Sequence, residues 1–205
     1  MNQQSSSLKT LGVLLFPEFE TLDVFGPLQM FGMLPDKIKI VLIAEHQGLV
    51  KSTHGQTIFA DFNWQNAPHL NLLLVPGGMG TRREVNNQPL INWIKSRSAT
   101  TDITLSVCTG AALLAKAGVL NGHKATTNKL AFNWVAEQSA QVDWIKKARW
   151  VDDGSIITSS GISAGIDMSL YVVARLFGET VRDELAKKTE YNLNIDPAID
   201  PFMID

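Results

Sequence analysis

Apolar positions along this chain fall into short continuous runs that alternate with stretches of helical spacing. Leu11 to Phe16, Ile38 to Ala44, Leu72 to Val75 and Ile103 to Val107 are apolar or β-branched segments, broken only by Lys39 and Ser106. Such runs mark strands buried on both faces. Between them lie helical stretches. One begins near Gly26 and ends before Pro35, with Pro27 in its first turn, where proline is tolerated. Another, Gln88 to Ser98, carries Leu90, Ile91 and Ile94 at helical spacing. Leu130 to Gln138 reads as a helix, Ser163 to Phe177 as one stopped by Gly178, and Thr180 to Thr189 as a last one. Val50 to Asp61 shows a weaker alternation around His54-Gly55, the pattern of a small hairpin or flap, and a short strand begins at Ala125 or Thr126. Ala148 to Val151 and Ser155 to Thr158 form a hairpin with Asp-Gly at its turn.

Strands alternating with helices through short connections predict an α/β protein with a mostly parallel sheet between helix layers. The 205 residues suit one domain, from about residue 10 to 191, with a disordered leader at 1–9 and a Pro- and Asp-containing tail at 192–205. At 45% hydrophobic and 19% charged residues the composition is that of an ordinary globular chain. A net charge of -2 gives no electrostatic footprint for nucleic acid or an anionic membrane. One cysteine leaves no internal disulfide and fits a reducing compartment. The polar start lacks the apolar core of a signal peptide, and no run reaches the ~20 apolar residues that span a bilayer. A cytoplasmic protein is expected.

The chemistry concentrates at Asp102-Ile-Thr-Leu-Ser-Val-Cys-Thr-Gly-Ala-Ala-Leu-Leu-Ala-Lys-Ala-Gly118, a buried strand turning into a helix with Cys108 at the junction. A lone cysteine is commonly a small buried hydrophobe. A helix start, however, offers unpaired N–H groups and the positive end of the macrodipole, both of which favour the thiolate. Two other strand ends carry distinctive groups, Asp23 and Gly77-Gly78. In a parallel sheet such loops meet at the switch point. Asp23 either complements its own helix or shares a proton with the thiol as a general acid. Gly77-Gly78 either makes a tight turn or supplies oxyanion donors. The histidines (His46, His54, His69 and His123) have no partner at triad or metal-ligand spacing. Pro76-Gly-Gly-Met-Gly-Thr-Arg lacks the ending of a phosphate-binding loop.

Phe16-Pro-Glu-Phe-Glu-Thr-Leu-Asp-Val-Phe-Gly-Pro27, Val75-Pro-Gly-Gly78, Ser106-Val-Cys-Thr-Gly110, Gly118-Val-Leu-Asn-Gly122, Ala125-Thr-Thr127 and Gly161-Ile-Ser-Ala-Gly-Ile-Asp167 together resemble the DJ-1/PfpI superfamily. Within it they are most similar to the isocyanide (isonitrile) hydratase branch, from Leu11 to about Tyr191. The resemblance implies a flavodoxin-like, three-layer sandwich, usually a homodimer. It also implies a cysteine nucleophile at Cys108, an acid at Asp23, an assisting Thr109, and Gly77 and Gly78 at the oxyanion position, with no metal or organic cofactor. Asp167 is expected to brace its helix. Thr109 stands where PfpI-type proteases carry histidine, which disfavours a protease. Ser159-Ser160 stands where the hydratases carry glycines, and Asn128 where they carry histidine.

The reading that follows is a small-molecule hydratase converting an isocyanide to an N-substituted formamide. The alternatives are a glyoxalase-like lyase acting on reactive dicarbonyls and a non-catalytic metabolite or redox sensor.

Overall fold

The computed structural model describes residues 8–204. The chain runs β1 (Lys9–Leu14), α1 (Thr21–Gly32), β2 (Ile38–Ala44), β3 (Gly48–Lys51), β4 (Thr57–Ala60), β5 (Phe62–Asn63) and β6 (Leu72–Val75). It continues through α2 (Thr81–Glu84), α3 (Gln88–Ser98), β7 (Ile103–Ser106), α4 (Gly110–Lys116), β8 (Lys124–Ala125), α5 (Phe132–Ala136) and β9 (Asp143–Trp144). It closes with β10 (Trp150–Asp153), β11 (Ile156–Ser159), α6 (Ala164–Phe177) and α7 (Glu179–Lys188).

Seven strands form the central sheet in the order β10-β11-β7-β6-β1-β2-β5. All neighbours are parallel except β10 and β11. The central strands β6, β7 and β11 are buried along their whole length. That is why β6 is an unbroken apolar run in sequence, and why β7 and β11 carry only Ile, Leu, Thr and Ser rather than an alternation with charged residues. From β1 the chain crosses to β2 in one direction along the sheet, and from β6 it crosses to β7 in the other. Right-handed crossovers therefore put α1 and α3 on opposite faces. The switch point falls between the neighbouring strands β1 and β6.

β3 and β4 pair antiparallel as a separate flap, as the alternation around His54-Gly55 predicts. It clasps the loop after β1: the Thr53 N–H donates to the Phe19 carbonyl and the Glu18 N–H to the Lys51 carbonyl. Among the described residues no helix is long and apolar enough to cross a membrane.

Several boundaries differ from expectation. β1 begins at Lys9, inside the segment expected to be a disordered leader, because the Lys9 N–H donates to the Lys37 carbonyl. Residues 1–7 of that leader lie outside the described residues. α1 starts at Thr21 rather than near Gly26, so Pro27 sits within the helix. α5 is shorter than Leu130 to Gln138, and Leu130 precedes it fully exposed. In the β10–β11 hairpin Asp153 pairs with Ile156, so Gly154 and Ser155 occupy the turn. The tail at 192–205 is tied down. Its Pro197 carbonyl accepts from Arg149 N–H at 2.7 Å, and Asp200 is buried.

Candidate active site

Cys108 follows β7 by one residue and precedes α4, and its backbone is left-handed, with φ 56°. A non-glycine residue in this region costs of order 1–3 kcal/mol and persists only where its surroundings enforce it. Here they do. The Cys108 N–H donates to the Ser160 carbonyl at 3.2 Å, and its own carbonyl accepts from the Thr127 hydroxyl at 2.7 Å. These bonds hold the sulfur at the sheet rim, where it lines a cavity of about 210 Å³ with Glu20, Gly78, Arg82, Thr109 and Asn128. Cys108 is 6% exposed, so the sulfur is reached only through that cavity.

Asp23, in the first turn of α1, is completely buried beside it. Its Oδ2 accepts from the Gly77 N–H at 2.8 Å. Oδ1 is buried without a hydrogen-bond partner of its own, and the carboxyl's remaining side-chain interaction is with the Cys108 thiol. Burial raises the Asp23 carboxyl well above the usual carboxylate range, and the Glu20 charge adds to this. The Gly77 N–H and the Cys108 side chain pull it back only in part. Burial likewise pushes the Cys108 thiol up, with the Asp23 charge acting in the same direction. The backbone N–H and hydroxyl of Thr109 oppose both. Two anions in this space are strongly disfavoured, so the pair keeps at least one proton and titrates as a unit.

The donors around the two groups differ. A carboxylate at Asp23 would receive the Gly77 N–H and the thiol. A thiolate at Cys108 receives the Thr109 N–H, the Thr109 hydroxyl and the protonated carboxyl. Thr109's hydroxyl has a competing acceptor besides the sulfur: Thr81 spends its own hydroxyl proton on the Gly78 carbonyl, which leaves Thr81 Oγ1, 3.1 Å away, open to Thr109. The Gly78 carbonyl lies 2.6 Å from the Thr81 hydroxyl but 3.4 Å from that of Thr109. The Thr109 N–H is thus the donor that a thiolate formed at Cys108 keeps, and a proton on Asp23 adds a second.

The paired glycines do different work from that expected. The Gly77 N–H is spent on Asp23, and the Gly78 N–H donates to Thr109 Oγ1 at 3.0 Å. They position the acid and the threonine rather than present free oxyanion donors, although Gly78 does line the cavity. Both must be glycine. A Cβ on Gly77 would lie 2.6 Å from Thr109 Oγ1 and 2.9 Å from Asp23 Oδ2, while Gly78 has φ 125° and packs on the Glu18 and Phe19 backbone.

Sequence reasoning missed Thr81 and Glu20. Thr81 is buried and bonded to both the Gly78 carbonyl and Thr109. Glu20 faces the pair and lies 3.3 Å from His54 Nδ1 of the flap. Thr81 stood in the stretch rejected as a phosphate loop, and Glu20 stood three residues before Asp23, where it was passed over. Ser159 and Ser160 are buried at the end of β11 beneath the elbow. Asn128 caps the following turn through Oδ1, which accepts from Ala131 N–H at 3.0 Å. Asp167 accepts from Arg149 Nε at 2.6 Å and from the Asn194 N–H at 3.1 Å, bracing the tail against α6. Among the described residues no three metal-binding side chains cluster.

A doubly wound parallel sheet with a strained cysteine at its switch point and a buried acid beside it defines a recognisable class. The chain belongs to the DJ-1/PfpI family, whose pattern it matches over residues 9–175. It is 32% identical to the isonitrile hydratase of Pseudomonas putida over 88% of this chain and 78% of that one. It is 24% identical to the HTH-type transcriptional regulator GbdR of Pseudomonas aeruginosa over 92% of this chain, spanning only 52% of the regulator. Among solved structures, a ThiJ/PfpI family protein from Pseudomonas syringae superposes with a TM-score of 0.86 at 30% identity, over 95% of this chain and 80% of that one.

Proposed function

We propose that this protein is an isocyanide hydratase-like enzyme. The observation that carries the reading is the fully buried Asp23 carboxyl, whose Oδ1 has no hydrogen-bond partner and which is electrostatically coupled to the Cys108 thiol. It provides a nucleophile and a proton donor in one place without histidine. The likeness to a named isonitrile hydratase supports the substrate class.

The thiolate adds to the terminal carbon of R–N≡C, forming the C–S bond, and Asp23 protonates that carbon to give a thioimidate. Asp23, now a carboxylate, takes one proton from water as the oxygen adds to the same carbon. The second water proton ends on nitrogen, and the C–S bond breaks to release R–NH–CHO and regenerate the thiolate. Atoms and charge balance without a redox partner. Thr109 holds the sulfur anion at the start and finish of this cycle.

The test is turnover of a simple alkyl isocyanide, with methylglyoxal assayed beside it on the same preparation. The hydratase reading predicts formamide production that Cys108→Ala abolishes and Asp23→Asn lowers by about 10²-fold or more, the usual scale for losing an acid–base group. Turnover of methylglyoxal alone would transfer the same residues to a dicarbonyl lyase. A second reading, a sensing domain, is favoured by the likeness to part of a transcriptional regulator. It predicts turnover of neither compound, with Cys108 oxidised by mild peroxide.

A further inference from the structure

A second cavity adjoins the one that holds Cys108. It measures about 300 Å³ against about 210 Å³ for the first, and the two share Asn128, Leu130 and Ile162. Its remaining walls are Ser160, Gly161, Lys129, Phe202 and Ile204. Lys129 brings no free charge, because its Nζ donates to Thr126 Oγ1 and the Ala148 carbonyl and lies 3.7 Å from Asp200. The apolar side chains Leu130, Ile162, Phe202 and Ile204 thus dominate the annex. Leu130 on the shared ridge is 100% exposed, an unusual position for leucine in a turn. Phe202 and Ile204 come from the tail, which Asp200 pins between Lys129 and Arg149.

Resting on the hydratase reading, we propose that this annex is a substrate subsite that takes the apolar N-substituent of the electrophile captured by Cys108. The first cavity, at about 210 Å³, takes the reacting group and a substituent of about ring size. A longer substituent that crosses the Leu130–Ile162 ridge enters a space that is largely hydrocarbon-lined, with its one cation already neutralised. The preferred substrates are therefore isocyanides with extended alkyl or aryl substituents rather than short or charged ones. The C-terminal tail acts here as a specificity element.

The test does not depend on turnover. Cys108 is alkylated with N-alkyl iodoacetamides from methyl to octyl, rates are read by intact mass, and each is divided by the rate of the same reagent with glutathione. In wild type the ratio rises by about two- to fourfold per methylene beyond the first few carbons, the factor expected for burying CH₂ groups. Phe202→Ala flattens that slope, and Phe202→Trp, which fills the annex, slows the octyl reagent several-fold relative to the methyl one. A flat series in wild type, or an unchanged slope in both variants, overturns the proposal. The same alkyl series offered as isocyanides separates the two conclusions. Chain-length selectivity in labelling without formamide production leaves the annex standing and removes the hydratase reading. Formamide production indifferent to chain length does the reverse.

Discussion

The left-handed backbone at Cys108 stores strain that the sulfur itself does not relieve. Replacing the side chain separates chemistry from conformation. Cys108→Ala removes the thiol and keeps the strained geometry, whereas Cys108→Gly also releases the strain. The glycine variant should be more stable than the alanine variant by about 1 kcal/mol in urea unfolding. Equal stabilities would mean that the elbow is not strained. Asp23 gives a second residue-level expectation, in pH. Its carboxyl is raised by burial above the value it has in the unfolded chain, near 4. Below about pH 4 both states are protonated and no penalty exists. As pH rises further the unfolded chain releases this proton and the folded protein retains it, so wild type loses stability on the order of 1 kcal/mol per pH unit until the folded group titrates. Asp23→Asn has nothing to titrate and keeps its acceptor for the Gly77 N–H. Its stability relative to wild type should therefore grow between pH 5 and pH 7, measured by denaturant unfolding at each pH. A constant difference would mean that the folded pair holds no more protons than the unfolded chain over this range, as it would with a thiolate beside the protonated Asp23.

At the scale of elements, the tail is held by a buried charge cluster rather than by apolar packing. Arg149 and Lys129 are both buried, and Asp167 and Asp200 supply the opposing charges. Asp200→Ala should destabilise the protein by about 3 kcal/mol or more, because two desolvated cations lose a counter-charge. An unfolding midpoint equal to wild type would show the tail to be ornamental. This cluster was not legible in the sequence, where Asp200 lies in a Pro- and Asp-containing tail without helical or strand period. Its burial is decided by cations some 50 and 70 positions away, as the numbering shows. The four strands β1, β2, β6 and β7 were legible because burial leaves them mostly apolar or β-branched, with Lys9 and Lys39 the charged residues among them. The start of α1 was not. Pro27 pointed to a start near Gly26, but the Thr21 hydroxyl, bonded to Ser52 and Gln56 of the flap, anchors the helix more than a turn earlier. Strands of two residues such as β8 and β9 are too short to express any period. At the site, Cys108, Asp23 and Thr109 could be located from strand ends alone. The bonding of Gly77 and Gly78 could not, since it depends on which side chains reach them across the switch point.

For the molecule as a whole, the surface carries apolar groups that a lone globule does not need. Leu22 and Phe25 on α1 are each 39% exposed, as is Ile162 beside the cysteine cavity. A homodimer that covers α1 is the expected assembly. Light scattering at micromolar concentration should return about twice the 22.5 kDa of the chain, and Phe25→Glu should shift it towards the monomer. A monomeric wild type would sink that expectation.

Three backbone bonds run in series from the tail to the elbow. Arg149 N–H meets the Pro197 carbonyl, Ser160 N–H meets the Arg149 carbonyl, and Cys108 N–H meets the Ser160 carbonyl. Anything that tugs on the last residues is thus mechanically linked to the nucleophile's peptide unit. An affinity tag fused behind Asp205, or trimming by a carboxypeptidase during purification, should blunt thiol reactivity in a preparation that still looks folded by circular dichroism. Fusions intended to report on this site belong at the other terminus.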